Sequence, residues 1–212
     1  DDTWQTLNKA SGFKLLMLGT PWLGSYRIAN VLAGRDSIIK QLSSLDLMHS
    51  REELINLFTR FPGILNLLPV REDDYDFSKE EVWKAFQQST GLQWQIPTSE
   101  ILADFGRFRQ NTIAHAGQID FTNIRYIARK DDLTPCGYDI VDEQLTIHMT
   151  GKGDQSVTWE MGIPAAMKGT SALYYIQVSH GALACHDTMM PVIKDILLKD
   201  STTLLPHTEP VV

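Results

Sequence analysis

Apolar residues follow two rhythms along this chain. Residues 13–18 (Phe-Lys-Leu-Leu-Met-Leu), 121–128 and 172–178 are short, nearly continuous apolar runs. Runs of that kind predict strands buried on both faces of a parallel sheet. Between the first two, the spacing changes to three and four. Ile38, Ile39, Leu42, Leu45 and Met48 predict a helix over 37–48. Leu54, Ile55, Leu57, Phe58 and Phe61 predict a second, with Ser50 and Glu53 spaced as a capping box and Pro62-Gly63 as its stop. Val82, Trp83 and Phe86 predict a third, behind a Ser78/Glu81 capping box and ending near Gly91. Ile101, Leu102, Phe105, Phe108 and Ile113 predict a fourth behind Thr98 or Ser99. Shorter helices are expected over 3–10, over 25–32 with Ser25 as cap, and over 188–199, where Pro191 is tolerable in the first turn. Residues 138–141 and 145–150 predict a hairpin, and 201–212 an extended tail.

The order is therefore strand, helical insertion, strand, hairpin, strand, helix. That is an α/β chain with a large helical insertion at 36–116. Three parallel strands are few for a sheet, and the first has no partner earlier in the sequence. A strand from an N-terminal half of the same domain, or from a partner, is expected to pair at residues 13–18, which would otherwise be an unprotected edge. The chain starts at Asp1-Asp-Thr-Trp, without Met and without a signal-peptide pattern. Residues 1–212 are accordingly expected to be the C-terminal portion of one domain.

Composition narrows the partners. Of the 212 residues, 43% are hydrophobic and 21% charged, ordinary for a globular chain. The net charge of −7 and the absence of a Lys/Arg cluster argue against nucleic acid. Arg129-Lys130, the densest basic spot, is followed at once by two aspartates. No apolar run reaches bilayer length, so no transmembrane segment is expected. Two cysteines, Cys136 and Cys185, make no disulfide framework. A reduced, cytoplasmic setting is the plainer expectation.

The chemistry gathers between residues 151 and 183. Asp154 lies in Gly151-Lys-Gly-Asp-Gln-Ser-Val157, where glycines allow a sharp turn and leave the carboxylate uncrowded. By itself this is an ordinary Gly-Asp surface turn. It is not a phosphate loop, because the required Gly and Lys spacing is absent. His180 stands between Ser179 and Gly181, directly after the third apolar run. A histidine there can shuttle a proton, or be held by backbone in a strand–helix loop. In one large class of hydrolases the triad runs Ser, Asp, His, each at the C-terminal end of a strand. Asp154 before His180, with one strand between, fits the last two members.

The nucleophile is missing. No serine has glycine at both −2 and +2. Ser25 follows a strand and a Gly-rich loop but reads as a helix cap. Cys185 lies after the histidine and reads as a small buried hydrophobe. Asp131 and Asp132 are alternative acids, and Asp154 is preferred for its turn into Val157. A metal set of His180, His186 and Asp154 is disfavoured, since the six-residue histidine spacing does not share a helical face. No cofactor is expected.

Three motifs carry a family resemblance. Leu18-Gly-Thr-Pro-Trp-Leu-Gly-Ser25 resembles the Gly-Thr-Pro-x-x-Gly-Ser signature of lipases and acyltransferases similar to lecithin–cholesterol acyltransferase and the PGAP1-like lipases. Gly153-Asp-Gln-Ser-Val157 resembles their Gly-Asp-x-Thr-Val acid loop, with Ser for Thr, and His180-Gly-Ala-Leu183 their histidine loop. The likeness runs from about residue 13 to 206. It implies an α/β-hydrolase fold, Asp154 as triad acid, His180 as base, a helical lid over 36–116, and an acyl ester or lipid-like substrate. It also implies that the nucleophile lies upstream of Asp1, so that this piece alone is inactive. The aromatics Phe58, Phe61, Trp83, Trp94, Phe105 and Phe108 would line an acyl pocket, although simple core packing is the favoured reading for most of them. The alternative is a non-catalytic binding or regulatory module that keeps the hydrolase architecture.

Overall fold

The computed structural model describes residues 2–45, 48–70, 75–131, 133–178 and 186–210. The predicted base His180, its loop neighbours Ser179 and Gly181, Cys185 and the alternative acid Asp132 lie outside the described residues. The chain divides into two compact units: Asp1–Trp22, Ala116–Thr134 and Gly151–Val212 form one, and Leu23–His115 with Pro135–Thr150 form the other.

The first unit is built on a three-stranded parallel sheet flanked by helices. Its strands are β1 (Leu15–Leu18), β2 (Ile124–Arg129) and β5 (Leu173–Ile176), in the order β1-β2-β5. Leu15 aligns with Ile124 and Leu18 with Ile127; Tyr126 aligns with Leu173 and Arg129 with Ile176. The three apolar runs contain the strands, each strand shorter than its run; Phe121, for example, lies before β2 and packs against the core. Side chains alternate between two cores, as a pleated strand requires. Met17, Tyr126, Ala128, Leu173 and Tyr175 pack on one side with Trp159, Ile163 and Met167. Ile127 and Tyr174 pack on the other with Met189, Val192 and Ile196 of helix α9 (Met189–Lys199). This two-sided burial explains why the strands read as continuous apolar runs. Helix α1 (Asp2–Lys9) precedes β1, and helix α8 (Trp159–Gly162) follows the acid loop.

The two sheet edges differ. Ladder bonds from Leu15 to Asn123 and from Gly19 to Ile127 direct the alternate residues, Leu16 and Leu18, to the outer edge of β1. At the opposite edge the tail lies along β5. Tyr175 N–H donates to the Pro206 carbonyl (2.9 Å), and the His207 ring nitrogen Nδ1 bonds the Leu173 carbonyl (2.8 Å). Among the described residues, no strand pairs with the outer edge of β1.

The second unit is mostly helical: α2 (Tyr26–Leu32), α3 (Ser37–Leu45), α4 (Arg51–Phe58), α5 (Pro62–Leu65), α6 (Glu80–Thr90) and α7 (Ser99–Ala116). Ser25 caps α2 through Oγ to Arg27 N–H (3.0 Å), and the Ser50/Glu53 capping box forms in both directions. The Ser78/Glu81 box does not form. Ser78 instead donates its N–H to Asp76 Oδ1 (2.9 Å), which moves the cap position to Lys79. Pro62 does not merely stop a helix; it opens α5 at the first-turn position where a missing N–H costs nothing. The hairpin pairs β3 (Thr134–Val141) with β4 (Gln144–Thr150). Its turn is the two residues Asp142-Glu143, both at positive φ (50° and 59°), the primed geometry that matches strand twist.

The core of this unit is aromatic. Trp83, Phe86 and Trp94 are buried, and Phe77 meets Trp83 edge-on at 5.3 Å. Trp83 meets Trp94 at 6.2 Å, and Phe86 meets Tyr138 at 5.3 Å. Trp83, Trp94 and Phe105 thus serve core packing, while Phe61 and Phe108 are partly exposed.

Candidate functional site

Sites in parallel α/β sheets form at the C-terminal ends of strands. Here the central strand β2 ends in Arg129, and the loop carrying Asp154 is tied to that end. Asp131 donates its N–H to the Gly153 carbonyl (2.6 Å). Gln155 donates its N–H to Thr134 Oγ1 (2.9 Å) and its side-chain amide to Asp131 Oδ2 (2.8 Å). The Trp159 indole donates to the Arg129 carbonyl (2.6 Å). Gly153 is required at its position: a Cβ there would stand 2.6 Å from Thr134 Oγ1. The glycine visible in the sequence therefore serves a close approach of this loop to Thr134.

Asp154 is 1% exposed. Its Oδ1 accepts the N–H groups of Ser156 (2.9 Å) and Val157 (2.7 Å), a tight Asx turn. Its own N–H bonds back to the Val157 carbonyl (3.2 Å). Oδ2 stands 3.5 Å from Nε of Arg129, itself 2% exposed. The plain surface turn expected from Gly-Asp is thus not what forms: the carboxylate is inside the fold, paired with a buried guanidinium. Burial pushes Arg129 below the usual guanidinium range, and the Asp154 charge opposes that shift. The Tyr126 hydroxyl is pushed far above the usual phenol range, by burial first and then by the negative charge of Asp154.

Arg129 was invisible as a site residue in the sequence. It stands beside Lys130 in a basic pair, and only burial separates the two. Asp131, the alternative acid, supports the Asp154 loop through Gln155. Ser25 is a helix cap, as its context predicts.

His186 is the described histidine nearest in sequence to His180. It is exposed, and its Nδ1 accepts the N–H of Thr188 (3.3 Å) at the entrance to α9. Among the described residues, no group of three or more His, Cys, Asp or Glu side chains has the proximity to hold a metal ion. Among them, no helix is long and apolar enough to cross a membrane. No family model matches the chain, and no curated protein matches it significantly.

Proposed function

We propose that this chain carries the acid–base part of a serine ester hydrolase of the α/β-hydrolase type, similar to the lecithin–cholesterol acyltransferase and PGAP1-like lipases. Asp154 is the acid, His180 the base, and the nucleophilic serine comes from outside these 212 residues. The observation that carries this reading is the Asp154 carboxylate, pre-set at the C-terminal end of the central strand of a parallel sheet. Chain order supports it, since β5 separates the acid from His180.

In this reaction His180 takes the serine hydroxyl proton as the oxygen attacks the acyl carbon of the ester. It then gives that proton to the departing alkoxide, and water or a second alcohol releases the acyl group by the same route. Asp154 orients the imidazole and stabilises its charged form without itself becoming protonated. The outer edge of β1 is where we assign the strand of the missing half. Two observations support that: β5 has its outer edge covered by the tail, and Leu15 of β1 is 37% exposed.

A second reading is a non-catalytic module of the same architecture, in which the buried Asp154–Arg129 ion pair only stabilises the fold. One experiment separates the two. The chain joined to its upstream sequence is treated with a fluorophosphonate probe. Labelling of an upstream serine that falls about 10³-fold or more in His180→Gln is expected of the hydrolase. Absent labelling, or labelling indifferent to His180, selects the module.

A further inference from the structure

We infer that Arg129 is the positioning residue of Asp154, supplying the buried positive charge that keeps this carboxylate ionised in a place where water is excluded. The inference rests on the reading of Asp154 as the acid of an acyl-transfer site. An acid partner acts only while it is charged, because its work is to stabilise an imidazolium. Burial works against that charge: a carboxyl group removed from water is driven toward its neutral form by several pKa units when nothing compensates. At 1% exposure Asp154 has no solvent compensation to speak of.

Two features of the fold oppose protonation. Oδ1 accepts two backbone N–H groups, from Ser156 and Val157. Oδ2 faces Nε of Arg129 at 3.5 Å. That distance exceeds a normal N–H···O bond of about 2.9 Å, so the guanidinium acts chiefly as a charge.

Arg129 is held to this task from both sides. Its carbonyl accepts the Trp159 indole (2.6 Å), and the next residue, Lys130, donates its N–H to the Ile176 carbonyl of β5 (3.0 Å). The neighbouring Asp131 ties the acid loop down through Gly153 (2.6 Å). The Arg129 backbone is therefore fixed by the sheet and the carboxylate by a loop bonded to the same strand end.

The test follows the Asp154 side-chain carboxyl by ¹³C NMR from pH 8 to 3, in the 212-residue chain and in Arg129→Met and Arg129→Lys. In wild type the signal is expected to stay at its ionised position until acid unfolding begins. Arg129→Met is expected to raise the protonation midpoint by at least about one unit. Arg129→Lys, which keeps the charge, is expected to hold the wild-type behaviour to within about half a unit. A folded Arg129→Met protein with an unmoved Asp154 signal overturns the proposal. So does a lysine variant that behaves like methionine, since packing rather than charge would then set the carboxylate. Should the methionine variant fail to fold, Asp154→Asn reads the same pair from the other side. The Arg129 Nε–H resonance is then expected to move and to lose protection from exchange, and an unchanged resonance overturns the assignment. Failure of the hydrolase reading appears only in the labelling experiment and leaves this titration as predicted; failure of the titration leaves the labelling intact.

Discussion

The hydroxyl of Tyr126 fills the space that a side chain at Gly162 would need. A Cβ on Gly162 would stand 2.4 Å from that oxygen, 2.9 Å from Val157 Cγ1 and 3.2 Å from the Thr20 carbonyl. The same hydroxyl donates to the Thr20 carbonyl (2.8 Å), just beyond the end of β1. One phenol thus joins the exit of β1, the body of β2 and the short helix after the acid loop. Gly162→Ala is expected to cost about 1–3 kcal/mol by overpacking. Tyr126→Phe removes both the clash and the hydrogen bond, so the double variant is expected to lose less than the sum of the singles. Urea unfolding of the four proteins gives the cycle, and strict additivity would refute the contact.

Asp36 ties stability to acid pH in the helical unit. Burial alone raises its pKa, but the Arg27 hydrogen bond, the Ile38 N–H and the Arg27 charge outweigh it and hold the group below the ordinary value. Arg27 Nε donates to Oδ2 (2.9 Å) and Ile38 N–H to Oδ1 (2.9 Å). A carboxyl depressed in the folded state contributes stability above its unfolded pKa of about 3.9, and that contribution is lost as pH falls through the folded value. Asp36→Asn is therefore expected to cost about 1.5–3 kcal/mol at pH 7, the scale of hydrogen bonds to a charged group. The difference from wild type should shrink below about pH 4. Denaturant midpoints measured at pH 7, 5 and 3 check this; a constant difference would show that the charge contributes nothing.

The outer edge of β1 predicts association. Leu16 and Leu18 present backbone groups to that side, and a short, apolar edge with which no strand pairs among the described residues is a template for another strand. The 212-residue chain on its own is expected to self-associate as its concentration rises, and Leu15→Lys to suppress this by placing a charge at the edge. Sedimentation velocity of both proteins is the measurement. A wild-type chain that stays monomeric throughout would remove the edge as a pairing site.

Much of the fold was legible because burial on two sides leaves a mark in composition. Residues 13–18, 121–128 and 172–178 read as apolar runs because each strand serves two cores. The caps at Ser25 and Ser50 were legible because their bonds close within three residues. The Ser78/Glu81 box misled because Asp76, two residues upstream of Ser78, took up the Ser78 N–H and moved the helix start.

For the site, the sequence by itself determined Gly153-Asp154, the turn into Val157 and the order of acid, strand and histidine. Those features are local, and local geometry is written in neighbouring residues. The tertiary structure alone decided that Asp154 is inside the fold, that Arg129 faces it, and that Tyr126 stands over Gly162. Arg129 and Asp154 are 25 residues apart in the chain. Only the return of the loop at 151–158 to the end of β2, through Asp131–Gly153 and Trp159–Arg129, brings their charges to 3.5 Å. A charge in a sequence is solvated by default. What makes this pair consequential is the removal of water from both members, and that is a property of packing.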